Sequence, residues 1–95
     1  MTATRIPVAV LRLGRIVGTV GVTETIPENE VLQAIQRHQA GGWANLEELD
    51  RFANDQALSR GGRVFSAYNA ANGARFWIIT EADRSVTTAL LPKEY

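Results

Sequence analysis

Ninety-five residues, 45% hydrophobic and 21% charged, lie close to the averages of folded globular domains and are too few to divide into two units with separate cores. Ten basic side chains face ten acidic ones, so the formal net charge is zero and a general affinity for polyanions is not expected. The absence of cysteine excludes disulfides, thiolate zinc sites and thiol nucleophiles together.

The first elements are β-rich. Val8 to Leu13 and Ile16 to Val22 are dominated by β-branched residues and broken by Gly14, Gly18 and Gly21, which predicts at least one strand, or a hairpin turning at Gly14. Thr25 and Glu28 have capping-box spacing with Pro27 in the first turn, so a helix is expected from Thr25 to about Ala40, ending at Gly41 and Gly42. Its apolar stripe would be Val31, Leu32 and Ile35. Trp43 occupies a short connection before a second capping box, Asn45 with Glu48. That second helix would turn Leu46, Leu49, Phe52, Ala53 and Ala57 inward and Glu47, Arg51 and Asp55 outward, ending before Gly61.

From Arg63 the period changes to two. Val64, Ser66 and Tyr68 alternate with Phe65 and Ala67; Asn72 and Gly73 mark a tight turn; Arg75 to Glu81 is the most strand-like stretch; and Val86 to Leu91 completes a meander closed by Pro92. The expected fold is α+β, in the order β-α-α-β-β-β, with two helices on one face of a three- or four-stranded, mainly antiparallel sheet.

Three groups of residues could carry chemistry. His38, the one histidine, with Trp43, Asp50 and Asn54 surrounds the connection between the helices, and an imidazole beside a carboxylate serves as acid or base near neutral pH. The structural alternative places His38 against the last carbonyls of its helix and Trp43 in the core, with Asp50 and Asn54 tying down the glycine-rich connection. Glu81, Asp83 and Arg84 form a turn, where Asp and Ser side chains usually bond nearby amides; with Arg63 and Arg75 they are candidates for partner binding. The third group is Phe65, Tyr68, Phe76 and Trp77 beside Arg63 and Arg75, a composition that can stack on single-stranded nucleic acid. Phe76 and Trp77 must point to opposite faces, so at least one of them belongs to the core.

No motif for a nucleotide, metal or other cofactor is present, and the one lysine, Lys93, stands outside any phosphate loop. No apolar run reaches the length of a membrane helix, and Met1 to Arg5 lack the features of a signal peptide, so a cytoplasmic location without membrane contact is expected. Charge is unevenly spread. Residues 24–55 hold seven acids against Arg37 and Arg51, whereas residues 1–23 hold three arginines and no acid. That arrangement suits either pairing across the fold or a polar surface aimed at a protein partner; nucleic acid is the secondary partner class, and self-association stays open.

Leu13 to Val17, His38 with Gly42 and Trp43, Asp50, Asn54, Gly61 to Tyr68 and above all Phe76 to Thr88 resemble a family of small bacterial proteins borne on plasmids and integrated elements, usually described as plasmid-related proteins. The likeness covers roughly residues 12–95. The family pattern commonly has an acid where this chain has Gly42. Some relatives carry the description of a type I restriction methylation subunit, but this chain has no Asn-Pro-Pro-Tyr element and is too short for a methyl-donor domain. The resemblance implies a mobile-element setting, and the reading it supports is an accessory, noncatalytic protein-binding module that modulates host regulation or defence. The alternative is a toxin-type ribonuclease or other small nucleic-acid-binding protein, because such toxins share this order of elements.

Overall fold

The computed structural model describes residues 11–41, 53–57 and 60–95. Strand β1 (Arg15–Gly18) leads into a short helix α1 (Val20–Thr25) and a longer helix α2 (Glu28–Gln39). A meander of β2 (Val64–Asn69), β3 (Arg75–Thr80) and β4 (Val86–Leu90) follows, and a 3₁₀ turn at Pro92–Glu94 ends the chain. The fold is α+β. Its four strands stand in the order β1-β4-β3-β2, with β1 parallel to β4 and both other pairs antiparallel.

Two sequence expectations are corrected in the first third of the chain. The β-rich run from Ile16 stops at Gly18, because Thr19 caps α1 by accepting from the Val22 amide at 3.2 Å. Val20 and Val22 are therefore helical against their own β preference. Thr25 does not begin a helix but ends one: the Ile26 amide bonds back to Val22 at 2.8 Å, and Ile26 is extended, as the residue before a proline tends to be. Pro27 then caps α2 with its carbonyl, which accepts from Glu30 and Val31. Of the hairpin considered around Gly14, Val8 to Val10 lie outside the described residues, and residues 11–14 belong to no strand.

Gly14 has a different task. At φ +63° it passes so close to the β3–β4 turn that an added Cβ would stand 2.4 Å from the carbonyl oxygens of both Arg84 and Ser85. The Arg15 amide then bonds to the Ser85 carbonyl at 3.0 Å and starts the parallel ladder.

The meander follows the period-two reading. The β2–β3 turn uses Gly73 at φ +89°, while the Asn72 side chain accepts from the Ala74 amide at 2.9 Å. Val64, Phe76, Ile78 and Ala89 lie on the helix-facing side, packed with Val22, Ile26 and Ile35. Phe65, Trp77, Ile79 and Leu90 form the opposite face. Residues 53–57 are helical as expected, but the inward position is Asn54, and Ala53 is exposed; the cause is the bond that Asn54 makes to the sheet, described below. The proposed start of that helix at Asn45 lies outside the described residues. Among the described residues no helix is long and apolar enough to cross a membrane.

Candidate functional site

His38 sits on the face of α2 that carries Ala34 and Ile35, in the last turn, with 0% of its surface exposed. It does not bind its own helix's last carbonyls, as the structural reading expected. The apolar stripe turns it directly onto the sheet, where its Nδ1 lies 2.5 Å from Ser66 Oγ and its Nε2 lies 2.9 Å from Thr80 Oγ1. Thr80 Oγ1 is 2.7 Å from Thr87 Oγ1, and Thr87 donates to the Leu13 carbonyl at 2.7 Å.

The far end of this chain fixes every proton in it. A carbonyl only accepts, so Thr87 must donate to Leu13 and accept from Thr80; Thr80 must then accept from Nε2–H. Neutral imidazole carries one proton, which leaves Nδ1 as the acceptor for the Ser66 hydroxyl. Ser66 also stands within hydrogen-bond reach of the Tyr68 hydroxyl. Burial raises the Tyr68 pKa and pushes that of His38 down to about 4, so at neutral pH the imidazole is uncharged. One ring and the hydroxyls beyond it thus tie three strands and the segment before the fourth: Ser66 on β2, Thr80 on β3, Thr87 on β4 and Leu13 just before β1. A solvent-inaccessible base with both nitrogens engaged holds the sheet and offers no proton to a substrate.

Asn54 makes a second tie at an adjacent residue of β2. Its Nδ2 donates to the Phe65 carbonyl and its Oδ1 accepts from the Phe65 amide at 3.0 Å. Phe65 is on the outermost strand, so this side-chain amide takes the place of a neighbouring strand. The free edge of β2 presents a donor and an acceptor at the spacing of a carboxamide; the glycine-rich connection that Asn54 was expected to tie down lies, from Gly42 on, outside the described residues. His38 and Asn54 therefore fasten to consecutive residues of one strand without touching one another in any bond described. Trp43 and Asp50, the other members of the expected cluster, lie outside the described residues.

Ser66, Thr80 and Thr87 were missed from the sequence. Their signal was present in the alternation: Ser66 shares a face with Val64 and Tyr68, and a hydroxyl at an inward position needs a buried partner.

The candidate partner-binding residues divide by role. Arg63 meets Glu81 through two parallel contacts of 3.3 Å, donates to the Tyr95 hydroxyl at 2.5 Å, and lies 5.5 Å from the centre of that ring. The Glu81 and Tyr95 hydrogen bonds both raise its pKa. Arg75 is exposed at the start of β3. Asp83 accepts from the Ser85 amide at 2.9 Å, and hydrogen bonds from the Ser85 side chain and amide hold its carboxyl below the usual range. Arg84, at φ 62°, is spent on the fold: its guanidinium donates to the carbonyls of Gly62, Glu81 and Ala57. It fastens the β3–β4 turn to the end of the 53–57 helix.

The aromatic group also separates. Tyr68 and Phe76 are buried on the helix side, whereas Phe65 and Trp77 meet edge to face on the outer side at 5.0 Å. Trp77 meets Tyr95 at 5.6 Å, and Tyr95 is 69% exposed. The outer face therefore carries a continuous row: Phe65, Trp77, Tyr95, Arg63 and Glu81. A polar cleft of about 480 Å³ opens on the other side between α2 and the β2–β3 hairpin, lined by Glu30, Gln33, Arg37, Tyr68 and Asn69 among others. Among the described residues no group of three or more His, Asp or Glu side chains is placed to hold a metal ion. Compared with protein-family models, with curated proteins and with solved structures, the chain gave no match.

Proposed function

We propose that this chain is a noncatalytic protein-binding module, an accessory of the mobile-element kind that its resemblance implies, acting on a protein of host regulation or defence. The observation that carries the reading is the outer row of two half-buried rings, Phe65 and Trp77, continued by the exposed Tyr95 and ending in Arg63. Trp, Tyr and Arg are the side chains that most often dominate binding energy at protein interfaces. Phe65 and Trp77 are rigidly placed across neighbouring strands, and Arg63 is already oriented by Glu81 and Tyr95, so little side-chain freedom is lost on docking. Arg75 and Asp83 extend the row as polar rim residues, and Arg84 contributes by holding the turn that carries Asp83.

The second reading is a single-stranded nucleic acid stacked on the same rings. Against it stands Glu81, which occupies the arginine fork where a phosphate would sit and adds negative charge beside it. The ribonuclease version has less support, because His38 is buried and neutral. Fluorescence anisotropy with random single-stranded RNA and with duplex DNA at ~150 mM salt separates the two partner classes. The protein reading expects no submicromolar binding. Submicromolar affinity, lost on Arg63→Ser and Arg75→Ser, would replace it with the nucleic-acid reading.

A further inference from the structure

The two edges of the sheet are treated differently. At β2 the Asn54 amide occupies the outward backbone groups of Phe65. At β1 nothing among the described residues does the same. The Arg15 amide bonds to Ser85 and the Thr19 amide to Ala89, so in a parallel ladder the odd-numbered residues face β4, while Ile16 and Gly18 turn their N–H and C=O groups away from it. Natural sheets usually blunt such an edge with charge, proline or a covering element. Here the one charged residue of β1 is Arg15 at its start, and the rest of the strand is apolar: Ile16 is 49% exposed, and Val20 just beyond the strand is 72% exposed. Beside them runs a groove of about 330 Å³ lined by Gly18, Val22, Thr23, Ile26, Glu28 and Val31. Gly18 opens its wall, since a Cβ there would meet only Thr23 Oγ1 at 3.7 Å and Val22 Cγ1 at 3.9 Å.

We propose that β1 accepts an extended segment of a partner protein as a fifth strand, with one apolar side chain of that segment in the groove and a basic side chain beside Glu28. Main-chain bonds to Ile16 and Gly18 would supply the addition, and the groove the selectivity. The sign of the charge follows from the groove end of the site, where Glu28 lines the wall and Glu24 and Glu30 lie close in sequence, whereas Arg15 stands at the opposite end of β1. A second copy of this chain is the weaker occupant, because it would bring the same three acids to the site, and four residues of edge bury too little for a stable dimer. This site is separate from the outer aromatic row, so either can fail without the other.

The probe is a capped synthetic peptide, Lys-Thr-Val-Thr-Val-Thr-Lys, titrated into the isotopically labelled full chain, with the counterpart carrying Glu at both ends as control. The expected result is weak, saturable binding of the basic peptide that shifts the amides of Ile16 and Gly18 first and weakens with salt. Ile16→Pro removes only an outward donor and is compatible with an edge strand; it should reduce affinity at least about tenfold, as the loss of a main-chain bond at an edge would. Gly18→Val fills the groove and should do the same with the thermal midpoint kept, which covers the case in which the proline variant fails to fold. Tyr95→Ala should leave this binding unchanged. The proposal is overturned if the basic peptide does not bind at millimolar concentration, if the acidic peptide binds as well, if Gly18→Val binds like the parent, or if the free chain is a dimer that dissociates on either substitution.

Discussion

His38 is the residue whose chemistry differs most between its apparent and its actual role. Folding lowers its pKa from 6.5 to about 4, so the folded state resists protonation where the unfolded chain accepts it. The sign follows: full stability is present above pH 6.5 and is lost progressively as the pH falls toward 4, by about 3 kcal/mol if the whole shift is realised. Urea unfolding across this window should show the slope, and the difference between the parent and His38→Phe should isolate the contribution of His38. A flat profile for the parent would contradict the buried neutral ring. Asn54→Ala should cost about 1–3 kcal/mol by leaving both Phe65 backbone groups without a partner, and Asn54→Asp should not restore them, because a carboxylate cannot donate to the Phe65 carbonyl. The sequence made His38 and Asn54 conspicuous without showing that they would meet β2 and β3. Spacing along a helix says which residues share a face, and it carries no information about which strand that face will meet.

Among the elements, the meander was legible because its alternation, its Asn72–Gly73 turn and its Asp83–Ser85 turn are local signals that tertiary structure did not override. The N-terminal third was not. Helix α1 is six residues long and contains two valines, and it is held from a distance: Glu94 accepts from the Thr19 hydroxyl at 2.6 Å and from the Gly21 and Leu91 amides. The Thr19 and Leu91 bonds keep the Glu94 carboxyl below its usual range. A clamp spanning most of the chain leaves no periodic trace. The parallel pairing of β1 was equally hidden, since register with β4 depends on the close pass of Gly14 over the β3–β4 turn. The glycines therefore make a sharp comparison. Gly14→Ala combines a left-handed backbone with a backbone collision and should destabilise by ~2 kcal/mol or more. Gly18→Ala has ordinary contacts and no unusual φ, and chemical denaturation should find it within about 1 kcal/mol of the parent, on the stable side if anything.

At the scale of the whole molecule, neutrality conceals segregation. Arg63 pairs with Glu81, and neither belongs to the acidic block of residues 24–55. The acids Glu24, Glu28 and Glu30 lie on or beside α1 and α2, and the arginine-bearing aromatic row lies on the other side of the sheet. His38 joins helix to sheet, and the proposed function rests on the surface. The most direct test is quantitative affinity capture from a bacterial lysate treated with nuclease, comparing the parent with an Arg63→Ser, Tyr95→Ala double variant of matched thermal midpoint. The account predicts a protein retained at stoichiometric level by the parent and depleted at least about tenfold by the variant, in line with the loss of two interface anchor residues. Equal retention by both, or retention by the parent that nuclease treatment abolishes, would contradict it.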